Sequence, residues 1–226
     1  MRSEQASFYV TGTDTGVGKT VASCAVLHAL RAKGLRAVGM KPVASGCEHI
    51  DGQWRNEDAL ALQAASDPRP RYEELNPYAL PLPLAPEIAA AEAGVEVRLA
   101  PLTAAFERLR SQADTVVVEG VGGWAAPLSG SLEQVDLVRA WGLPVLMVVG
   151  LRLGCLNHAR LTARAIVADG CHLAGWIASE IDPDMQRADE NFGLLRARLP
   201  APCWGRLPRL PEPVLGHLTG PYISIP

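Results

Sequence analysis

The chain has 226 residues, of which 48% are hydrophobic and 20% are charged. At roughly 150 residues per domain, we expect a single domain over residues 1–226. A chain of this length buries on the order of 70% of its unfolded surface, which is enough to fold without disulfides or structural metals. Its five cysteines lie far apart and form no Cys-x-x-Cys pair, so we expect reduced, structural thiols.

The charge balance excludes several classes of partner. With 21 basic and 24 acidic residues the formal net charge is -3, without the basic excess typical of nucleic-acid-binding proteins. The longest apolar stretch, residues 143–153, is about half of a membrane span and contains Pro144 and Arg152, which favours a buried strand. The first residues lack the apolar core of a secretory signal. We therefore expect a cytoplasmic protein with no nucleic-acid or membrane partner.

Short apolar runs alternate with helical patterns along the chain. Strands are predicted, in chain order, at residues 7–11, 35–40, 114–119, 144–149 and 172–178. Helices are predicted at residues 20–33, 57–65, 102–112, 132–141, 155–168 and 185–198. Strands that are apolar on both faces and separated by helices indicate a parallel sheet with both faces covered. The pattern predicts a doubly wound α/β fold with a mostly parallel sheet and helices on both faces.

Prolines are concentrated in two regions where this alternation stops, residues 68–86 and 200–226. Because proline fixes φ and lacks a backbone donor, we expect ordered loops or extended edges there. Neither region has the composition of a linker between domains.

The strongest motif is GTDTGVGKT, residues 12–20, between the first predicted strand and the first predicted helix. Its glycines let backbone amides approach phosphate oxygens, and the start of the helix adds a favourable field. Lys19 supplies a positive charge, and Thr20 offers a hydroxyl to Mg²⁺. Five residues separate Gly12 from Gly18, whereas the usual motif has four. The spacing predicts a variant P-loop NTPase type.

Charged residues follow the next predicted strands, at the sheet edge where open α/β sheets bind ligands. Lys41 follows the second strand, where a lysine beside Lys19 would stabilise charge on a transferring phosphoryl group. Glu119 ends the third strand, where a P-loop enzyme holds its metal. The alternative for both is a solvated residue at a strand end. Asp58 begins a predicted helix, either as a metal ligand or as an ordinary N-cap.

The segment GCLNH, residues 154–158, opens the helix after the fourth predicted strand. Free amides at such a helix start favour a carboxylate or a phosphate, although a plain helix cap is an equal alternative. His158 is a candidate general base, but a partly buried histidine on the helix face is the preferred interpretation.

Together these motifs resemble the dethiobiotin synthetases. The resemblance rests on GTDTGVGKT, Met40-Lys41-Pro42 with Ser45, Asn56 to Asp58, EGVGG at 119–123, LGCLNH at 153–158, Gly175-Trp176 and PRL at 208–210. It implies an ATP-dependent ligase that closes a ureido ring on 7,8-diaminononanoate with CO2 or bicarbonate and releases ADP and phosphate. A carbamate and a carbamic-phosphoric anhydride would be the intermediates.

The resemblance also implies roles for individual residues. Lys41 and Lys19 would be catalytic, and Thr20, Asp58 and Glu119 would hold Mg²⁺. The implied nucleotide-binding positions are Gly16, Val17, Gly18, Lys19, Thr20, Val21, Asp58, Glu119, Gly120, Val121, Gly122, Ser179, Pro208, Arg209 and Leu210. The implied substrate-binding positions are Thr15, Lys41, Ser45, Gly122 and Asn157. The family acts as a homodimer, in which Asn157 would bind the substrate's carboxylate tail across the subunit interface.

Three positions depart from the family pattern. Gly16 stands where many relatives have an acidic residue, and Asn191 stands roughly where some have a tyrosine. Ser179 occupies the place of an asparagine that reads adenine, and a hydroxyl cannot reproduce the paired donor and acceptor of an amide. We therefore expect weakened preference for ATP over other nucleoside triphosphates.

Two other functions share these motifs. One is another ligase of the same P-loop group, such as a cobyrinic acid diamide synthase, which usually carries a glutamine-hydrolysing domain for which 226 residues leave no room. The other is a nucleotide-switched partner-binding ATPase of the partitioning type. Those proteins generally have an additional lysine early in the phosphate loop, where this chain has Thr13, Asp14 and Thr15.

Overall fold

The computed structural model describes residues 7–209 and 222–226. The strands in that part of the chain are β1 (Phe8–Gly12), β2 (Ala37–Met40), β3 (Val43–Ser45), β4 (Glu48–Ile50), β5 (Gln53–Arg55), β6 (Tyr78–Leu80), β7 (Thr115–Gly123), β8 (Pro127–Ser129), β9 (Leu132–Glu133), β10 (Val145–Leu151), β11 (Leu173–Glu180) and β12 (Cys203–Leu207). The helices are α1 (Lys19–Ala32), α2 (Glu57–Ala65), α3 (Tyr72–Leu75), α4 (Pro86–Glu92), α5 (Leu99–Gln112), α6 (Gln134–Trp141), α7 (Cys155–Ala168) and α8 (Ala188–Arg198).

Six strands form the central sheet in the order β12-β11-β10-β1-β7-β2, and every pairing in it is parallel. Successive residues of a strand point to opposite faces. Tyr9 of β1 therefore packs in one apolar cluster with Phe106 of α5, whereas Val10 packs in the other with Leu27 of α1 and Leu62 of α2. Helices cover both faces of the sheet, which confirms the predicted doubly wound α/β fold.

The strand order places β1 at the centre, between β7 and β10. The chain runs outward from β1 in both directions, and a crevice forms at such a switch point at the carboxyl ends of the strands. The GTDTGVGKT loop leaves β1 there. Met40, the last residue of β2, pairs with Val118 of β7, so Lys41 and Glu119 leave neighbouring strands side by side.

The bounds of several elements differ from the predictions. Helix α6 begins at Gln134 rather than at residue 132 because Glu133 and Asp136 form a capping box. Helix α8 begins at Ala188 rather than at residue 185, after a turn in which the Asp182 carboxylate accepts the Asp184 amide. Strand β7 continues through the glycines to Gly123, although the sequence predicts its end at residue 119.

The two proline-rich regions contain short regular elements as well as loops. The first holds α3 and β6, and α4 begins with Pro86 at its first position, where proline is tolerated. In the second region, β12 pairs with β11 and forms one edge of the central sheet, which confirms an extended edge for that strand. The expectation for residues 210–221 lies outside the described residues. The two hairpins, β4 with β5 and β8 with β9, have strands too short to show a period in the sequence.

Two further expectations concern the chain as a whole. All five cysteines are unpaired thiols, as predicted. Among the helices of the described residues, none combines the length and the hydropathy that crossing a bilayer would require.

Candidate functional site

A cavity of about 510 Å³ opens at the carboxyl ends of β1, β2 and β7. Its lining residues are Thr15, Gly16, Gly18, Lys19, Thr20, Val21, Lys41, Ala44, Ser45, Asn56, Glu57, Asp58, Val121 and Gly122. The structure thus brings together residues that lie more than one hundred positions apart in the sequence. Most of the side chains predicted to bind nucleotide or substrate meet in this cavity.

The GTDTGVGKT loop joins β1 to α1. Gly18 is the N-cap of α1 with a φ of 84°, and no side chain caps the helix at that residue. The amides of the first turn are therefore available to an anion, and the helix dipole favours one. Val17 is buried in the apolar cluster beneath the loop, so its side chain anchors the loop and does not line the cavity.

Lys19 is held inside this loop. Its Nζ donates to the backbone oxygen of Asp14 at 3.0 Å. Burial, together with the neighbouring charge of Lys41, lowers the pKa of Lys19 to about 8. A phosphate bound beside the lysine would favour its charged form.

An ion pair holds the GTDTGVGKT loop at residues 14 and 15. The Asp14 carboxylate accepts the Thr15 amide at 2.7 Å through one oxygen and the Arg152 guanidinium through the other. The Thr15 amide, together with the Arg152 charge, lowers the pKa of Asp14 despite some desolvation. Arg152 follows β10, so this pair ties the loop to a second strand. Nothing in the sequence couples residues 14 and 152.

Lys41 lies between two carboxylates. Its Nζ donates to Glu119 Oε1 at 2.6 Å and to Asp58 Oδ2 at 2.9 Å. Lys41 is 3% exposed and Glu119 is 0% exposed, so the interpretation of either as a solvated strand-end residue is wrong. Burial opposes the charge of Lys41, but Glu119 and Asp58 outweigh it and raise the pKa of the amine. The ammonium is therefore a fixed charge of this site.

The hydroxyl of Thr20 joins the same cluster. Thr20 Oγ1 lies 2.6 Å from Asp58 Oδ1 and 2.9 Å from Glu119 Oε1. The Asn56 side chain accepts the Ala59 amide and is the N-cap of α2. The interpretation of Asp58 as an ordinary N-cap is therefore wrong, and its carboxylate is directed at Thr20 and Lys41. Burial alone would raise the pKa of Asp58, but Lys41 and the Thr20 hydroxyl lower it.

One oxygen of this cluster has no partner. Glu119 Oε2 is buried and accepts no hydrogen bond, although a buried carboxylate oxygen normally does. In residues 7–209 and 222–226, no group of three or more His, Cys, Asp or Glu side chains is placed to bind a metal. Two carboxylates and a hydroxyl are nevertheless a suitable partial set for Mg²⁺, which keeps several waters and binds phosphate oxygens as well.

Several predicted site residues lie outside the cavity. Ser179 is 5% exposed, and its hydroxyl packs against Gly18, beneath the phosphate loop. Gly120 contributes only its carbonyl, 3.5 Å from Lys41 Nζ. Asn157 is exposed on α7, and Pro208 and Arg209 follow β12. Leu210 lies outside the described residues.

Comparison with known proteins identifies close relatives. A family model described as an AAA domain matches residues 6–214. The chain is 70% identical over 205 residues to the ATP-dependent dethiobiotin synthetase BioD of Xanthomonas euvesicatoria, covering 91% of this chain and 92% of the relative. It is 67% identical over 205 residues to the protein of the same name from Xylella fastidiosa, covering 91% of each.

Solved structures with the same fold are more distant in sequence. A ParA family ATPase from Chlorobium tepidum superposes with a TM-score of 0.57 at 12% identity, covering 95% of this chain and 89% of that one. MinD of Aquifex aeolicus gives 0.54 at 15% identity, covering 95% of this chain and 86% of that one. These similarities show the P-loop fold of the chain.

The charge of Lys41 should stabilise the ligand-free protein. Replacing it in Lys41→Met leaves the buried Glu119 without its cation, so we expect the free energy of unfolding to fall by about 3 kcal/mol. Urea denaturation at pH 8 without nucleotide or Mg²⁺ measures this change. Arg98→Met is the control: Arg98 pairs with Glu96, both are well exposed, and because solvent screens such a pair its loss should change stability far less. Equal effects of the two substitutions would contradict the prediction.

Proposed function

The chain belongs to the family of ATP-dependent dethiobiotin synthetases, and on that premise we propose that it closes a ureido ring on 7,8-diaminononanoate. CO2, supplied from bicarbonate, gives the ring carbon, and ATP is converted to ADP and phosphate. The reaction takes place in the cytoplasm, within one P-loop domain. The strongest support for this proposal is the cluster in which buried Lys41 and Glu119 meet the half-buried Asp58 and Thr20, beside the open amino end of α1.

The chemistry needs positioned charges rather than a covalent nucleophile. One amine of the substrate adds to CO2 and loses a proton to give a carbamate. A carbamate oxygen then attacks the γ-phosphorus of ATP, and ADP leaves. The second amine attacks the carbonyl carbon of the mixed anhydride, and phosphate leaves as the ring closes. In each step negative charge develops on oxygen, and preorganised cations stabilise it.

The position of each residue in the cavity indicates its role in this reaction. Lys19 and the first amides of α1 bind the phosphates of ATP, because they form the concave face of the loop. Lys41 lines the same cavity and shares Asp58 and Glu119 with Thr20, and its ammonium faces both the carbamate and the γ-phosphoryl group. Thr15, Ser45 and Gly122 line the remaining wall and bind the diamine. Holding the reactants at these positions lowers the entropic part of the barrier.

Mg²⁺ would be held by Thr20, Asp58 and Glu119. The unpartnered, buried Glu119 Oε2 supports this assignment, because a cation would supply the missing contact. The bound ion would neutralise part of the phosphate charge of ATP.

We further propose that the protein is a homodimer. Leu153, before α7, is 94% exposed, and Leu161 on the same helix is 54% exposed. Exposed Asn157 lies between these leucines in the sequence. A second copy of the chain that covered the leucines would place Asn157 of the first copy near the cavity of the second, where the carboxylate tail of the substrate binds. Analytical ultracentrifugation tests the assembly, and a single species of 24.1 kDa would contradict it.

The most direct test of the function is product formation. The purified protein is incubated with 7,8-diaminononanoate, bicarbonate, Mg²⁺ and ATP, and dethiobiotin is measured by mass. We expect ADP release to depend on the diamine and to match the product in amount. ATP hydrolysis without the diamine and without a ureido product would instead favour a nucleotide-switched ATPase. Absence of both diamine-dependent ADP release and dethiobiotin would favour another ligase of the P-loop group with a different substrate.

Nucleotide selectivity should be weak. Ser179 lacks an amide, and its hydroxyl packs against Gly18, so it offers no paired donor and acceptor to adenine while the phosphate contacts remain. Comparing kcat/KM for ATP, CTP and GTP measures the preference. We expect the three values to lie within about a hundredfold, equivalent to roughly 2.7 kcal/mol. A larger preference for ATP would refute the role given to Ser179.

A further inference from the structure

Strand β7 contains a bulge directly beside the cavity. Val10 of β1 pairs with Glu119, and Gly12 pairs with Gly123. Strand β7 therefore advances four residues where β1 advances two, and two extra residues are accommodated between the pairs. Gly122 has a φ of 62°, a conformation that glycine adopts readily. The bulge carries Glu119 at its start, and it turns Val121 and Gly122 towards the cavity.

A single buried side chain fills the back of this bulge. Gln134, the first residue of α6, is 0% exposed. Its Oε1 accepts the Val121 amide at 3.0 Å and the Tyr9 hydroxyl at 2.8 Å. Its Nε2 donates to the carbonyl of Gly123 at 2.6 Å. A bulge leaves backbone groups without ladder partners, and this amide supplies partners to two of them.

The fit between Gln134 and the bulge is close. A methyl group on Gly120 would overlap Gln134 Oε1 and would lie 2.7 Å from the Tyr9 hydroxyl. The segment therefore cannot move towards Gln134 without a clash, and it cannot move away without breaking hydrogen bonds in a buried environment. Gln134 holds the bulge from both directions.

The opposite face of the bulge forms a wall of the site. The carbonyl of Gly120 lies 3.5 Å from Lys41 Nζ. A methyl group on Gly122 would lie 3.7 Å from Thr15 Oγ1. A shift of this segment would consequently move the wall against Thr15, whereas Glu119 is held by its pairing with Val10.

We propose that Gln134 is a positioning residue: it lies outside the cavity and fixes the bulge at residues 120–122, and through it the wall that the diamine contacts. This role rests on the proposed function. The phosphate loop at residues 12–20 is built from β1 and α1, so the contacts of Gln134 affect the diamine side of the cavity more than the phosphate side.

Gln134→Met tests the proposal, because it keeps the length of the side chain and removes its hydrogen bonds. Hydrogen exchange in the ligand-free protein is measured at the Val121 amide, with Val117 of the regular part of β7 as the internal reference. We expect exchange at Val121 to become about tenfold faster or more relative to Val117. We also expect kcat/KM for the diamine to fall about tenfold to a hundredfold, with the KM for MgATP changed by less than about threefold.

Two further variants sharpen the test. Tyr9→Phe removes one hydrogen bond of the same amide and should shift both readouts in the same direction by about two- to tenfold. Tyr9→Phe also tests the proposal on its own if Gln134→Met does not fold. Gln63→Met is the matched control, because Gln63 also donates to a backbone carbonyl, that of Pro70 at 2.9 Å, away from the bulge. It should lower stability without changing Val121 exchange or the diamine kinetics.

The outcomes separate this role from the proposed function. Folded variants of Gln134 and Tyr9 with Val121 exchange and diamine kcat/KM both within about twofold of the wild type would overturn the positioning role. A parallel rise in KM for MgATP and for the diamine would also overturn it, because that result indicates a general loss of structure. A wild-type protein that forms no dethiobiotin would refute the function, and Val121 exchange would then still decide whether Gln134 fixes the bulge.

Discussion

The charge of Lys41, buried between Glu119 and Asp58, is the interaction on which the site depends. Isolated buried charges are costly, and they persist only where opposite charges and hydrogen bonds compensate them. The fold supplies this compensation from two directions. Parallel pairing of β2 with β7 sets Lys41 beside Glu119, and the first turn of α2 adds Asp58. A change in the register of either strand would separate the charges.

The same arrangement explains how a nearly neutral protein binds polyanions. Its formal net charge is -3, yet two lysines converge on one cavity, and the amino end of α1 opens beside them. The positive potential is thus confined to the cavity, and other side chains hold the groups that produce it in place. Arg152 holds the GTDTGVGKT loop through Asp14, whereas the carboxylates of Glu119 and Asp58 hold Lys41.

The positions of site residues that lie at the ends of parallel strands were predictable from the sequence. Lys41 and Glu119 stand at the ends of apolar runs, Lys19 lies in the loop that follows another, and the sheet must bring such positions to one edge. Roles that depend on side-chain direction were not predictable. Asn56 and Asp58 are both good N-cap residues, and only the structure shows that Asn56 caps α2. Gln134 lies in an amphipathic segment where a glutamine is ordinary, and its importance comes from a bulge that no sequence period reveals.

The turnover of Lys41→Gln shows whether the Lys41 ammonium stabilises the reacting groups. Glutamine can still donate to the carboxylates but carries no charge. We expect kcat for dethiobiotin formation to fall by roughly a hundredfold or more, with folded structure confirmed by circular dichroism. Lys33→Gln, at the exposed end of α1, should keep wild-type turnover. A folded Lys41→Gln protein with wild-type kcat would show that the Lys41 charge does not stabilise the reacting groups.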